Sequence, residues 1–230
     1  MFFDPLYLLV MLPTLALSLW AQFKVKSTIN KYSEIGTRSG MTGAEVARRI
    51  LQQRGITDVR VEEVDGFLSD HYDSGNKVLR LSPSIYGGRT IAAAGVAAHE
   101  VGHAIQHAER YAPLMFRQAV APVASFGSNV SIFLILGGSL LASASMTLLG
   151  VVAFSVAVFF TLLTLPVEFD ASRRAKEVLA NMGMVSGNEG AGVAACLNAA
   201  AMTYVAAAVA AVAQLLYFLF RLGIFGGREE

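Results

Sequence analysis

Residues 120–165 read VAPVASFGSNVSIFLILGGSLLASASMTLLGVVAFSVAVFFTLLTL, about 46 positions without one charged side chain. A membrane-crossing helix needs about 20 apolar residues, so this run is too long for one span and right for two joined by a tight turn. Small and hydroxyl residues cluster at 142–147, and the turn is expected there. Buried helices of a soluble bundle would not go so long without a charge. Two further apolar stretches flank the chain. Leu6 to Phe23 is almost wholly apolar and is followed closely by Lys24, Lys26 and Lys31; Ala194 to Phe220 is the second, with an alanine-rich half (206–213) that lets helices approach closely. A cleaved signal peptide would carry positive charge ahead of its apolar run, but only Asp4 is charged there, so the first stretch reads as a retained span. The expected fold is mostly α and polytopic: about four transmembrane helices with a small α+β domain.

Composition agrees. Hydrophobic residues make up 54% and charged residues 15%, against about 25% charged in soluble domains. No basic run with interleaved aromatics suggests nucleic acid as a partner. Cys196 is the sole cysteine, which rules out an intrachain disulfide and a cysteine-rich metal site. Any metal must be held through His, Asp and Glu.

Charge placement gives an expected orientation. Thirteen Lys and Arg fall within 24–118, and Arg173, Arg174 and Lys176 lie in the connection 166–190. Arg221 and Arg228 alone lie beyond the last span. Cationic loops stay on the cytoplasmic side, so the charged domain is expected inside and both termini outside. The expected organisation is a first span at 1–23, a cytoplasmic domain at 24–118, a helical hairpin at 119–165, a cytoplasmic helix at 166–193, a fourth span at 194–222 and a tail at 223–230.

Within 24–118, Thr42-Gly-Ala-Glu45 has capping-box spacing ahead of Val46, Ala47, Ile50 and Leu51, so a helix is expected over about 43–54, ended by Gly55. Extended pieces are expected at 59–64 and 77–82, separated by turn-prone Asp73-Ser-Gly-Asn76. The alanine-rich, proline-free stretch from Thr90 to about Arg110 reads as one long helix.

That helix carries Ala97-Ala-His99-Glu100-Val-Gly-His103-Ala. Histidines four apart share a helix face, so two imidazoles can grip one ion. Glu100 can lie beside the open coordination position and act as general base on water and then as acid to the leaving amine. Two of only four histidines are spent here. The plainer reading is two buried histidines satisfied by hydrogen bonds. A catalytic zinc needs a third protein ligand. His107 lies too far along an unbroken helix to share the ion. The favoured candidate is Glu168 in Pro166-Val-Glu168-Phe-Asp170-Ala-Ser172, expected to open a helix directly after a span. Two spans separate it from His103, and an even number returns the chain to the same side. Asp170 competes, although Arg174 offers it an ordinary i,i+4 partner.

These residues resemble the glutamate-zincins with a second-helix Glu ligand, such as the HtpX and CAAX prenyl protease group. Ser172 stands where that group usually shows Asp. The chain more closely resembles the YugP-like family of bacterial membrane zinc metallopeptidases, through Asp70-His-Tyr-Asp73, Asn76-Lys-Val-Leu-Arg-Leu-Ser82, Ala97-Ala-His-Glu-Val-Gly-His-Ala-Ile-Gln-His107, Pro166-Val-Glu168-Phe169 and Asn198-Ala-Ala-Ala-Met-Thr-Tyr-Val205. The resemblance covers nearly the whole chain and implies a peptidase in a bacterial inner membrane, with a zincin-like domain. The expected activity is a zinc metalloendopeptidase with one Zn2+ on His99, His103 and Glu168, and Glu100 and His71 catalytic. His71, Tyr72 and Tyr204 are the candidates for stabilising the oxyanion. Strand 77–82 is either an edge for an extended peptide to pair with or a plain core strand, and the residues favour neither. The expected partners are the bilayer and a peptide or membrane-protein substrate, in membrane-protein processing or quality control. The competing reading is a zinc-binding membrane scaffold without activity. A transporter is disfavoured, since the spans lack the mid-membrane charges such pathways use.

Overall fold

A computed structural model describes residues 4–66 and 68–224. The chain forms α1 (Pro5–Ser33), α2 (Gly43–Gln53), β1 (Arg60–Glu63), β2 (His71–Asp73), β3 (Val78–Leu81), α3 (Pro83–Tyr86), α4 (Ile91–Ala108), α5 (Ala112–Leu140), α6 (Ala144–Asn181) and α7 (Asn188–Arg221). The end of the expected tail, with Arg228, lies outside the described residues.

Four helices, α1, α5, α6 and α7, are long and apolar enough to cross a membrane. Mostly α and polytopic is therefore the fold class. The described residues divide into two compact units: residues 4–21, 116–165 and 203–224, and residues 22–115 with 166–202. In the first, Ile135, Val151, Tyr217 and Phe218 form a small core, while Phe126, Phe133 and Leu140 stay exposed. An outward apolar surface of this kind suits lipid rather than water. The hairpin turns at 141–143, just at the start of the expected stretch, and Ala142 takes a left-handed φ of 50° to make it.

The second unit is built around α4. Val46, Ile50, Leu79, Leu81, Val101, Ile105, Val178 and Leu179 join its alanines in one buried cluster. Thr42 caps α2 as its spacing implies: its Oγ1 accepts from Glu45 N at 3.1 Å, and Glu45 Oε2 accepts from Thr42 N at 2.7 Å. Three strands form a sheet in the order β1-β3-β2, with β3 parallel to β1 and antiparallel to β2.

Three expectations change. First, the strand within 77–82 is the middle one, paired on both sides, so it has no free edge for a peptide. Its residues explain why: Val78, Leu79 and Leu81 are all fully buried, and a strand buried on both faces belongs at a sheet's centre. Second, β2 was not expected. Asp73 makes it by turning the chain: its carboxylate accepts from Asn76 N at 3.0 Å and Asn76 Nδ2 at 2.8 Å, and pairs with Arg80 at 2.8 Å. Third, Glu168 does not open a helix. Span and ligand-bearing segment are one continuous helix, α6, with Pro166 inside it. Proline lacks the N–H that would bond the preceding turn and its ring crowds that turn's carbonyl, and long membrane helices absorb both costs.

Candidate metal centre

Thr90 starts α4, its Oγ1 accepting from Ala93 N at 3.2 Å. From there the helix runs unbroken through both histidines. Their rings stand 4.9 Å apart between centroids, at 81° to each other. The small residues of the motif decide what packs over them. A Cβ at Gly102 would lie 2.7 Å from the carbonyl oxygen of Ala171 and 3.1 Å from its Cα. The glycine thus admits the backbone of α6 to close contact with α4, and that approach delivers Glu168 to the histidines.

Glu168 Oε2 lies 3.3 Å from His99 Nε2 and 3.5 Å from His103 Nε2. The three donor groups form a possible metal site, all ligand atoms within 4.8 Å of one another. The donor chemistry and the spacing both fit zinc. Two atoms each about 2.0–2.2 Å from a tetrahedral zinc stand about 3.4 Å apart, which is the separation seen here. Glu168 is 3% exposed, so an uncompensated charge on it would be costly. Burial alone would depress the His103 imidazole pKa, but the Glu168 and Glu100 carboxylates reverse this and hold it above its ordinary value. The cluster is one that asks for a positive charge.

Outer contacts hold the imidazoles by their other nitrogens. Ser172 Oγ lies 3.1 Å from His99 Nδ1, so position 172 touches a candidate ligand even with Ser where the resembling enzymes carry Asp. Gln106 Oε1 lies 3.0 Å from His103 Nδ1. Sequence reading passed over Gln106. The available signal was a glutamine three residues after His103, on the same face of an otherwise alanine-rich helix. Glu100 is 8% exposed, and its carboxylate acts electrostatically on the His103 imidazole.

Other candidates lie elsewhere. Asp170 spends its oxygens on Gln106, Arg173 and Arg174. His107 Nδ1 bonds the Tyr72 hydroxyl at 2.9 Å, tying the sheet to α4. Burial pushes the Tyr72 phenol up to about 12, so at neutral pH the hydroxyl keeps its proton, and either it or the ring nitrogen can be the donor of this bond. His71 is exposed on β2, its Nδ1 2.7 Å from the Ser69 carbonyl oxygen and its Nε2 3.4 Å from Arg80. The structure does not bring it into the cluster. Asp70 accepts from Ser82 N at 2.7 Å and Ser82 Oγ at 3.0 Å. The Asp70–Asp73 stretch therefore builds the sheet.

Over residues 7–223 the sequence matches the family described as "Putative neutral zinc metallopeptidase". The chain belongs to that family. It is 51% identical over 225 residues to the "Putative membrane protease YugP" of Bacillus subtilis (strain 168), covering 98% of this chain and 99% of the relative. No solved structure matches the chain. A zinc metallopeptidase of the membrane has zinc as its cofactor, and His99, His103 and Glu168 offer it a possible site.

Proposed function

We propose that this chain is an integral-membrane zinc endopeptidase in which His99, His103 and Glu168 hold the metal and Glu100 is the general base. The observation that carries the reading is the pair of 3.3 and 3.5 Å separations between the two Nε2 atoms and one carboxylate oxygen. They match a tetrahedral zinc at about 2.0–2.2 Å from each ligand. Bound there, zinc supplies Lewis-acid polarisation and makes water acidic enough to attack near neutral pH. The chain's residues do the rest. Glu100, whose carboxylate acts on the His103 imidazole, takes a proton from the attacking water and hands it to the leaving amine nitrogen. Glu168 and His103 are buried, which strengthens the charge interaction between them.

Three protein ligands favour catalysis over a closed structural site, which fills its fourth position with protein. His107 and Asp170, the candidates for that position, are engaged by Tyr72 and by Gln106, Arg173 and Arg174. The scaffold reading therefore lacks its fourth ligand among the described residues. The expected orientation supports a site on the cytoplasmic side. Its substrates are then membrane proteins, their loops, or peptides delivered to the membrane surface, and its role is processing or quality control.

The test is the purified full chain in detergent beside Glu100→Gln, with bound zinc measured and both offered an unfolded casein-like protein and membrane-protein substrates. We expect one zinc in each and cleavage by the wild type only, with a loss of at least the about 10²–10⁴-fold that general-base catalysis contributes. Full activity in the variant would overturn the role of Glu100. Absence of zinc from folded wild type would overturn the metal site.

A further inference from the structure

Gln106 is fully buried, in α4, three residues past His103. Its amide nitrogen donates to the Val167 carbonyl oxygen at 2.8 Å and to Asp170 Oδ2 at 2.9 Å. Both partners are acceptors, so both amide hydrogens are used and the orientation of the amide is assigned by this network. Reversed, its carbonyl oxygen would face two acceptors in a buried site. Oε1 is therefore the atom that meets His103 Nδ1, at 3.0 Å. A ring nitrogen that meets a carbonyl oxygen must carry the hydrogen.

We propose that Gln106 is a positioning residue that locks His103 in the Nδ1–H tautomer, leaving the Nε2 lone pair aimed at the metal position beside Glu168 Oε2. The opposite tautomer would put an N–H where the metal belongs. The inference rests on His103 and Glu168 being ligands, as proposed above. The same side chain ties α4 to the segment of α6 that carries Glu168, because Val167 and Asp170 flank that residue. Asp170 is itself gripped by Arg173 and Arg174, and Arg174 returns to α4 through Glu109 at 2.6 Å. One closed set of bonds thus fixes the tautomer of one ligand and the position of another. His99 is held differently. Ser172 Oγ can donate or accept, so that contact does not dictate which nitrogen of His99 is protonated.

The experiment measures zinc affinity by chelator competition on the full chain in detergent, for wild type, Gln106→Leu and Gln106→Glu. The two variants are also compared with wild type by 15N spectra of zinc-free, histidine-labelled protein at a pH where the imidazoles are neutral. With four histidines in the chain, His103 is assigned by its absence from His103→Ala. Gln106→Leu removes the acceptor, and we expect affinity to fall about 10–100-fold and the Nδ1–H signature of His103 to disappear. Gln106→Glu still accepts from Nδ1–H but turns its second oxygen to the Val167 carbonyl and the Asp170 carboxylate, so we expect it to keep the signature at a melting temperature below that of wild type. A folded Gln106→Leu with wild-type affinity and an unchanged His103 spectrum would overturn the inference while leaving the ligand set standing. If Gln106→Leu does not fold, Gln106→Met, of nearly the same shape and without the acceptor oxygen, decides: a retained Nδ1–H signature overturns the inference, a lost one supports it. Wild-type zinc affinity in His103→Ala would overturn the ligand assignment itself, and this inference with it.

Discussion

Glu168 and Asp170 sit two residues apart on one helix, yet only one is placed to meet a metal. Glu168 sets one oxygen against two imidazole nitrogens, whereas Asp170 is already neutralised by two arginines and bonded to Gln106. Glu168→Gln, which keeps the shape and loses the charge, should weaken zinc binding by more than the about 10–100-fold that losing an outer partner costs. Asp170→Asn should still bind one equivalent. Zinc content after dialysis against a weak chelator distinguishes the two, and equal loss in both would contradict the assignment. Sequence could point to Glu168 because the parity of spans and the i,i+4 competition from Arg174 are both readable from residue order. Gln106 was not readable in the same way. A polar residue inside an apolar helix announces burial cost, but its partners, Val167 and Asp170, are about sixty residues away and only folding brings them there.

At the level of elements, the decisive contact is between the backbones of α4 and α6. Gly102 was visible as a small residue between the histidines, but what it makes room for was not. Because the atoms that a Cβ would meet are the carbonyl oxygen and Cα of Ala171, Gly102→Ala must push the helices apart. Overpacking of this kind costs about 1–3 kcal/mol, and the shift falls between the two sides of the candidate zinc site. We expect a lower melting temperature together with weakened zinc binding, and no rescue by Ala171→Gly, since no side chain is in the way. Restoration of zinc binding by that second substitution would refute the backbone argument. The sheet offers a separate test. Asn76 and Arg80 hold the Asp73 carboxyl well below the usual carboxylate range. A depressed folded-state pKa gives stability that is present above the unfolded value, about 3.9, and lost as pH falls through the folded one. The melting-temperature gap between wild type and Asp73→Asn should therefore be larger at pH 7 than at pH 3. A gap that does not change with pH would mean the charge of Asp73 does not matter. The sequence announced the turn here but not β2, because His-Tyr-Asp is too short and too polar to show a strand pattern. With β2 unseen, an edge strand and a core strand stayed equally open for β3.

For the whole molecule, the apolar runs made four membrane helices legible, and α1, α5, α6 and α7 are those helices. What residue order blurred was where span ends and domain begins. Composition changes at Phe23 and at Leu165, but α1 and α6 continue as helix past both points, since backbone hydrogen bonding is indifferent to whether lipid or protein covers the side chains. Orientation is the property that charge bias supports and that remains to be measured. Cys196, the only cysteine, is fully buried, so introduced cysteines can be labelled against a quiet background. Gln53→Cys lies at the exposed end of α2, in the unit that carries the candidate zinc site, and Leu141→Cys at the exposed turn between α5 and α6. Sixteen of the eighteen Lys and Arg belong to the segments expected inside. That bias acts most strongly through residues close to span ends, such as Lys24, Arg117 and Arg173. In intact cells a membrane-impermeant maleimide should therefore label Leu141→Cys and leave Gln53→Cys untouched until the membrane is opened. The reverse pattern would put the zinc site on the outer side and change the substrates to exported proteins. Labelling of both in intact cells would contradict the four-span arrangement, because α5 alone lies between the two positions and a single crossing must put them on opposite sides.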